Sequence, residues 1–180
     1  MKNTNHSLFD KYEMIKDLGT GSSGSVTLVR HISMDQERAL KKVPKASAFA
    51  ESALSEARLL KSLEHPSIPR IFDFEEDDAF YYIVEEYIDG ETLDSFLLHQ
   101  QLISPGLFFN ICEQLCNVFI YLHTQISTPI IYRDLKPEHI IVCHNKLKLI
   151  DFGVSAYVIQ DGNNFNHYGN IEFCPRMLYR

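Results

Sequence analysis

No apolar run in the sequence approaches the length of a bilayer span, and Met1–Asp10 (MKNTNHSLFD) holds no apolar core of signal-peptide length. Neither membrane insertion nor secretion is expected. Cysteines are few. Cys112, Cys116, Cys143 and Cys174 show no CxxC and no other paired metal spacing. Cys112 and Cys116 stand one helical turn apart and are expected as small buried thiols, which fits a reduced, cytoplasmic setting. Basic residues are the minority, 17 Lys and Arg against 24 Asp and Glu, with a net charge of -7 and a pI near 5.6. That balance opposes nucleic acid or an anionic membrane as the main partner. Internal repeats and low-complexity segments are absent.

What is present is the composition of a folded globule: 180 residues, 45% apolar and 12% aromatic, enough for one domain or two small lobes. Tyr12 to Leu18 reads as a strand that breaks at GTGSSGSV, where Gly19, Gly21 and Gly24 make a GxGxxG pattern. A dinucleotide loop must open a helix. Val26 to Val29 is instead a β-branched run, so the glycines fall in a strand-to-strand turn. A P-loop would end in Gly-Lys-Ser/Thr, which is missing. A backbone without side chains can fold over phosphates; the alternative is an ordinary Gly/Ser hairpin.

Glu37 to Val43 is a third strand carrying Lys41, and Phe49 to Leu63 reads as a helix. At 100° per residue Glu56 falls within the apolar face, flanked by Leu60 and Leu63. A carboxylate there requires a cationic partner, for which Lys41 is the candidate, or a raised pKa, or else it reaches solvent at the helix edge. His65-Pro66-Ser67-Ile68-Pro69 stops the helix. Strands follow at Arg70 to Phe74 and Phe80 to Tyr87, joined by the acidic run Glu75–Asp78, read as a solvated turn. Thr92 to Leu98 is a short helix. Ser104-Pro105 starts a long one, to Gln125, with serine as N-cap and proline in the first turn. Its polar residues occupy a narrow arc, and its apolar arc is wider than one packing surface covers. Phe108, Phe119 and Leu122 are expected on the uncovered side.

The stretch Ile130 to Gly153, IIYRDLKPEHIIVCHNKLKLIDFG, organises the rest. Two short apolar runs joined at His144-Asn145 predict a tight hairpin holding Asp134 and Asp151 on loops at one end of a small sheet. One acid can accept a proton from an attacking hydroxyl while the other holds a divalent cation on a polyphosphate.

These motifs, in this order from Gly19 to Gly153, resemble the eukaryotic-type serine/threonine protein kinases. YRDLKPEH is similar to the family's catalytic loop, Asp151-Phe152-Gly153 to its metal-binding element, and Ala39-Leu40-Lys41 to its alanine-any-lysine signature. The resemblance implies a two-lobe α+β protein-kinase-like fold. Residues 1–10 would be an N-terminal tail, and residues 11–88 an N-lobe of five antiparallel strands with one helix. Residues 89–180 would be a partial, mostly helical C-lobe ending in the activation segment. It further implies Asp134 as catalytic base, with Lys136 neutralising the transferred phosphoryl. Gly19, Gly21, Gly24, Val26, Ala39, Lys41 and Glu56 would serve the nucleotide, together with backbone groups of Glu86 and Ile88 at the hinge. ATP is the implied cofactor, with Mg²⁺ held by Asp151, and a protein serine or threonine hydroxyl is the implied acceptor. Lysine two residues after the aspartate is the serine/threonine form.

Four departures from the family pattern stand out. Tyr132 replaces the usual histidine, which is expected to be neutral. His139 stands where the family has asparagine as second metal ligand; imidazole prefers softer metals, so Mn²⁺ could replace Mg²⁺ there or the second site be weakened. Glu85 places a charge where the family has an uncharged side chain behind adenine. After Gly153 the sequence runs to GNIEFCPR and Arg180, where the family continues with helices that build its substrate platform. C-terminal truncation is therefore expected, with an exposed apolar C-lobe surface open to a partner chain or self-association. Ser155 is the only serine or threonine between Gly153 and Pro175, so activation by phosphothreonine is not expected. Two rivals to an active kinase are a nucleotide-binding pseudokinase acting through partners and a non-functional fragment of a longer kinase.

Overall fold

The computed structural model of the protein describes residues 8–21, 24–99 and 103–157. The chain divides into two compact units: one runs to Ser62 and resumes at Pro69–Tyr87, the other takes Leu63–Ile68 and the chain from Ile88 onward.

The first unit opens with a helical turn α1 (Leu8–Lys11), then strands β1 (Tyr12–Gly21), β2 (Gly24–His31) and β3 (Gln36–Pro44), helix α2 (Ala50–Lys61), and strands β4 (Ile71–Glu76) and β5 (Phe80–Glu86). All neighbours pair antiparallel, in the order β1-β2-β3-β5-β4. The expected five-stranded sheet with its helix is therefore present. Strand alternation puts Val43 and Ile83 on one face, where they pack with Ala53 and Ala57 of α2. The other face carries Val29, Leu40, Tyr82 and Val84 beneath Leu8.

Residues 8–10 were expected in a tail, yet Leu8 is fully buried and its N–H donates to Glu75 Oε2 at 2.8 Å. Lys11 pairs with Asp73 at 2.8 Å. The acidic run differs as well. Glu75 and Glu76 lie in β4, and Glu76 pairs with Lys45 at 2.7 Å. Asp77 accepts from the N–H groups of Ala79 and Phe80 and from the Tyr82 hydroxyl. These hydrogen bonds hold its carboxyl below the usual range, those from Ala79 and Tyr82 most of all.

The three glycines of the first hairpin are not equivalent. A Cβ on Gly24, at φ +138°, would fall 2.1 Å from the Lys42 carbonyl oxygen of the neighbouring strand. A Cβ on Gly21 would meet nothing within 4 Å. Gly24→Ala should therefore lower stability by about 1–3 kcal/mol through overpacking, while Gly21→Ala leaves the melting temperature close to wild type. Equal melting temperatures for the two variants would remove the steric reading.

The second unit contains β6 (Glu91–Thr92), α3 (Leu93–His99), α4 (Pro105–Ile120), β7 (Ile130–Ile131), β8 (Ile140–Cys143), β9 (Lys146–Leu149) and β10 (Ala156–Tyr157). Strands β6, β8 and β9 form one small sheet in that order; β7 and β10 pair separately. Gly90 lets the chain pass close to β8, since a Cβ there would lie 2.4 Å from the Val142 carbonyl oxygen. Ser104 caps α4 by accepting from the Leu107 N–H at 3.2 Å, with Pro105 in the first turn. The helix does not stay regular to Gln125: Tyr121–Gln125 is a wider, π-helical turn. Tyr121 is drawn into tertiary contact there, its hydroxyl accepting from the Glu64 N–H at 2.8 Å and its ring 5.1 Å from that of His65.

The covering of α4 departs from expectation. Leu122 is fully buried with Val118, and Phe119 is half-buried, its ring 6.3 Å from Tyr132. The hairpin docks on the polar edge, where Gln114 donates to the Asn145 carbonyl and accepts from the Leu147 N–H. Phe108 is exposed at 53%, as expected, and is joined by Phe109 at 68% and Ile120 at 49%. Cys116 is exposed and Cys112 half-buried, contrary to the expectation of two buried thiols. Among the described residues no helix is long and apolar enough to cross a membrane.

His65 carries a pH dependence. Its Nδ1 accepts from the Ser67 N–H at 3.1 Å, and burial, then the charge of Lys148, hold its pKa below the usual imidazole value of 6.5. A group whose folded pKa is lowered favours folding while neutral. Its contribution is whole above about pH 6.5 and is lost as pH falls below that value toward the folded pKa. In His65→Asn, which can still accept from Ser67, the melting temperature should fall less steeply than in wild type between pH 7 and pH 5. Parallel profiles would exclude this role.

Candidate active site

The site residues foreseen from sequence lie in both units. In the first, Val26 stands opposite Lys41 and Gly19 in the strand registers, and Ala39 is buried opposite Glu85. Gly21 pairs with Gly24 across the hairpin, and Asp17 Oδ1 accepts from the Gly19 N–H at 3.0 Å. Lys41 and Glu56 form the expected pair, Nζ to Oε2 2.8 Å. Glu56 is only 8% exposed on the α2 face that packs on the sheet. An ammonium on β3 is what allows a carboxylate in that apolar setting. At the end of β5, the Glu86 N–H donates to the Arg70 carbonyl at 2.9 Å, and the Ile88 carbonyl accepts from the Gly90 N–H at 3.0 Å.

In the second unit the hairpin β8–β9 turns through His144 and Asn145, at φ +48° and +64°. Left-handed values at both central residues define the tight turn whose twist matches its strands, and asparagine tolerates them well. The loop before it carries Asp134, Lys136 and His139; the segment after it carries Asp151. Two non-glycine residues of this region, Arg133 at φ +74° and Asp151 at φ +60°, are held in the left-handed region. Such backbone persists where surrounding contacts over-determine it, commonly at functional sites.

Those contacts are present. Tyr132 is buried, and its hydroxyl donates to the carbonyl of Ile150, the residue before Asp151. Its ring meets Phe152 edge-on at 5.0 Å. The Ile150 N–H donates to the His139 carbonyl at 2.9 Å, and the Leu149 N–H to the Ser67 carbonyl at 2.8 Å. Downstream, Ser155 Oγ donates to the Tyr132 carbonyl at 3.1 Å, and β10 pairs with β7. Tyr132 braces the two aspartate-bearing segments. The signal in the sequence was a tyrosine inside the apolar run Ile-Ile-Tyr, since a buried tyrosine hydroxyl usually finds a partner.

The two carboxylates meet one imidazole. Asp134 Oδ2 lies 3.1 Å from Lys136 Nζ and 3.4 Å from His139 Nδ1, while Asp151 Oδ2 lies 3.4 Å from His139 Nε2. His139 is buried, whereas the Asp151 side chain is 53% exposed. The arrangement offers one carboxylate beside an ammonium for proton transfer, and a second open to solvent as a hard oxygen donor, which suits a divalent cation. Residues 22–23, and the stretch containing GNIEFCPR with Cys174, lie outside the described residues.

A sequence profile for the protein kinase domain matches residues 12–177. Serine/threonine-protein kinase PrkC of Bacillus subtilis is 32% identical over 151 residues, covering 81% of this chain and 23% of that protein. Calcium-dependent protein kinase 4 of Plasmodium falciparum is 34% identical over 172 residues, covering 87% of this chain and 31% of its own length. For cAMP-dependent protein kinase type 3 of Saccharomyces cerevisiae the identity is 35% over 158 residues, with 85% and 39% covered. The chain thus spans well under half the length of these relatives.

Proposed function

We propose that this chain, which belongs to the protein kinase domain family, binds ATP and transfers its γ-phosphoryl group to serine or threonine hydroxyls of protein substrates. The observation that carries the reading is the convergence of Asp134, Lys136 and Asp151 beside one hairpin. A bond forms between the acceptor oxygen and the γ-phosphorus as the bond from that phosphorus to the bridging oxygen breaks. The acceptor proton passes to Asp134, and ADP leaves. Lys136, held against Asp134, offsets charge on the transferred group. Lys41, oriented by Glu56, holds the α and β phosphates, with Gly19, Gly21, Gly24, Val26 and Ala39 lining the nucleotide. Backbone groups of Glu86 and Ile88, at and just beyond the end of β5, take the adenine. Bound at Asp151, a divalent cation supplies neutralisation of phosphate charge. The serine/threonine acceptor class rests on Lys136 two residues after Asp134 and on the relatives' substrate class. The setting is cytoplasmic, and a second copy or a partner chain would cover Phe108, Phe109 and Ile120.

A second reading, a nucleotide-binding pseudokinase, is favoured by one observation, a histidine at position 139 where the family has asparagine. The two readings share nucleotide binding and part at turnover. With ATP and Mg²⁺ or Mn²⁺ at about 100 times the dissociation constant, wild type should gain about 2.7 kcal/mol of stability. No thermal shift and no calorimetric heat with either metal would end both readings. Binding without transfer from labelled ATP to mixed protein substrates would leave the second alone.

A further inference from the structure

Strand β5 ends at a residue pair in which a side chain makes one of the two hydrogen bonds. Ile71 stands opposite Glu85 across β4 and β5, so one step further along both chains Arg70 stands opposite Glu86. The Glu86 N–H donates to the Arg70 carbonyl at 2.9 Å. In an antiparallel ladder a pair joined by one such bond exchanges the other as well, which here would run from the Arg70 N–H to the Glu86 carbonyl. The Arg70 N–H is drawn to the carboxylate of the same residue, Glu86 Oε2, at 3.3 Å. An ionised carboxylate is a stronger acceptor than a neutral carbonyl, and Pro69 brings no N–H of its own to that end of β4. The surroundings hold the arrangement. A bulge offsets the ladder between Ile71 and Asp73, and Phe72, at the bulge, carries the Arg38 guanidinium 3.8 Å over its ring. Arg38 is the residue opposite Glu86 on β3, so the cation across the sheet anchors the bulge beside this pair.

We propose that the Glu86 side chain is a positioning group for nucleotide recognition. By drawing the Arg70 N–H onto its carboxylate, it keeps that donor off the Glu86 carbonyl, which then accepts a hydrogen from the 6-amino group of adenine. The inference rests on the reading above, in which the backbone at the end of β5 takes the base. An exocyclic amine donates and a carbonyl can only accept, so the contact selects purines that carry an amino group at that carbon. With a shorter side chain at position 86, Arg70 closes the regular pair on the carbonyl and competes with the base for it.

The test compares ATP with purine riboside 5′-triphosphate, which lacks only the 6-amino group, by calorimetry on the full chain with Mg²⁺. Wild type should bind ATP about tenfold more tightly, the worth of one hydrogen bond of this kind. In Glu86→Ala the two affinities should become equal through loss of ATP binding, while the melting temperature holds, because the regular pair replaces the side-chain bond. Glu86→Gln, whose amide oxygen still accepts from Arg70, should restore the preference. A carboxylate with a merely structural role would lower the melting temperature and weaken both nucleotides alike, and that result would overturn the proposal. So would an undiminished preference in Glu86→Ala, or a wild type that binds both nucleotides equally. A wild type that binds neither would overturn the reading of the site itself, and this proposal with it.

Discussion

Asp134→Asn should lower phosphate transfer from ATP by a factor on the order of 10²–10⁴, the usual worth of a positioned general base, while ATP binding and the melting temperature change little. The substitution keeps the shape of the side chain and removes its ability to take the acceptor proton. It also removes the charge facing Lys136 at 3.1 Å and His139 at 3.4 Å. The backbone there is held by other groups: the Asp134 carbonyl by His139, the neighbouring segment by Tyr132 and Ile150. Loss of turnover with intact nucleotide binding separates a chemical role from a structural one. Undiminished transfer by Asp134→Asn would assign the chemistry elsewhere.

Lys41→Met is expected to have the largest effect on stability. Glu56 is buried on the α2 face, and the Lys41 ammonium sits 2.8 Å from it. Removing one partner of a buried pair strands a charge that burial opposes, at a cost of about 3 kcal/mol where, as here, the lysine keeps some solvent contact. Replacing both partners by apolar residues should cost less than replacing one, because no charge is then left behind. Urea unfolding of Lys41→Met, Glu56→Leu and the double variant measures this directly. A double variant less stable than Lys41→Met would contradict the account. ATP binding should be weakened in every variant that lacks Lys41.

Local chemistry made much of this readable in advance. Ser104-Pro105 specifies a helix start because the serine oxygen reaches an N–H three residues on, and proline needs no donor there. His144-Asn145 between two apolar runs specifies the tight hairpin that sets Asp134 and Asp151 near each other. The helical wheel placed Glu56 in an apolar stripe and so required a cation, which β3 supplies as Lys41. Each of these rests on spacings of a few residues, over which backbone geometry is regular.

What the sequence could not reveal depends on which surfaces meet across long separations. Gly24 and Gly21 look alike in a glycine-rich turn, yet only Gly24 lies against the Lys42 carbonyl, because pairing of β2 with β3 brings that oxygen close. The wheel of α4 could not choose which apolar arc is covered; Gln114 helps decide it by bonding the Asn145 carbonyl in the hairpin turn and the Leu147 N–H of β9. Tyr132 and His139 looked like isolated substitutions. Only folding brings them together, so that Tyr132 gives its hydrogen to Ile150 and His139 lies between Asp134 and Asp151. A residue's type and spacing set what it can donate or accept, whereas which partners it meets is decided by the tertiary structure.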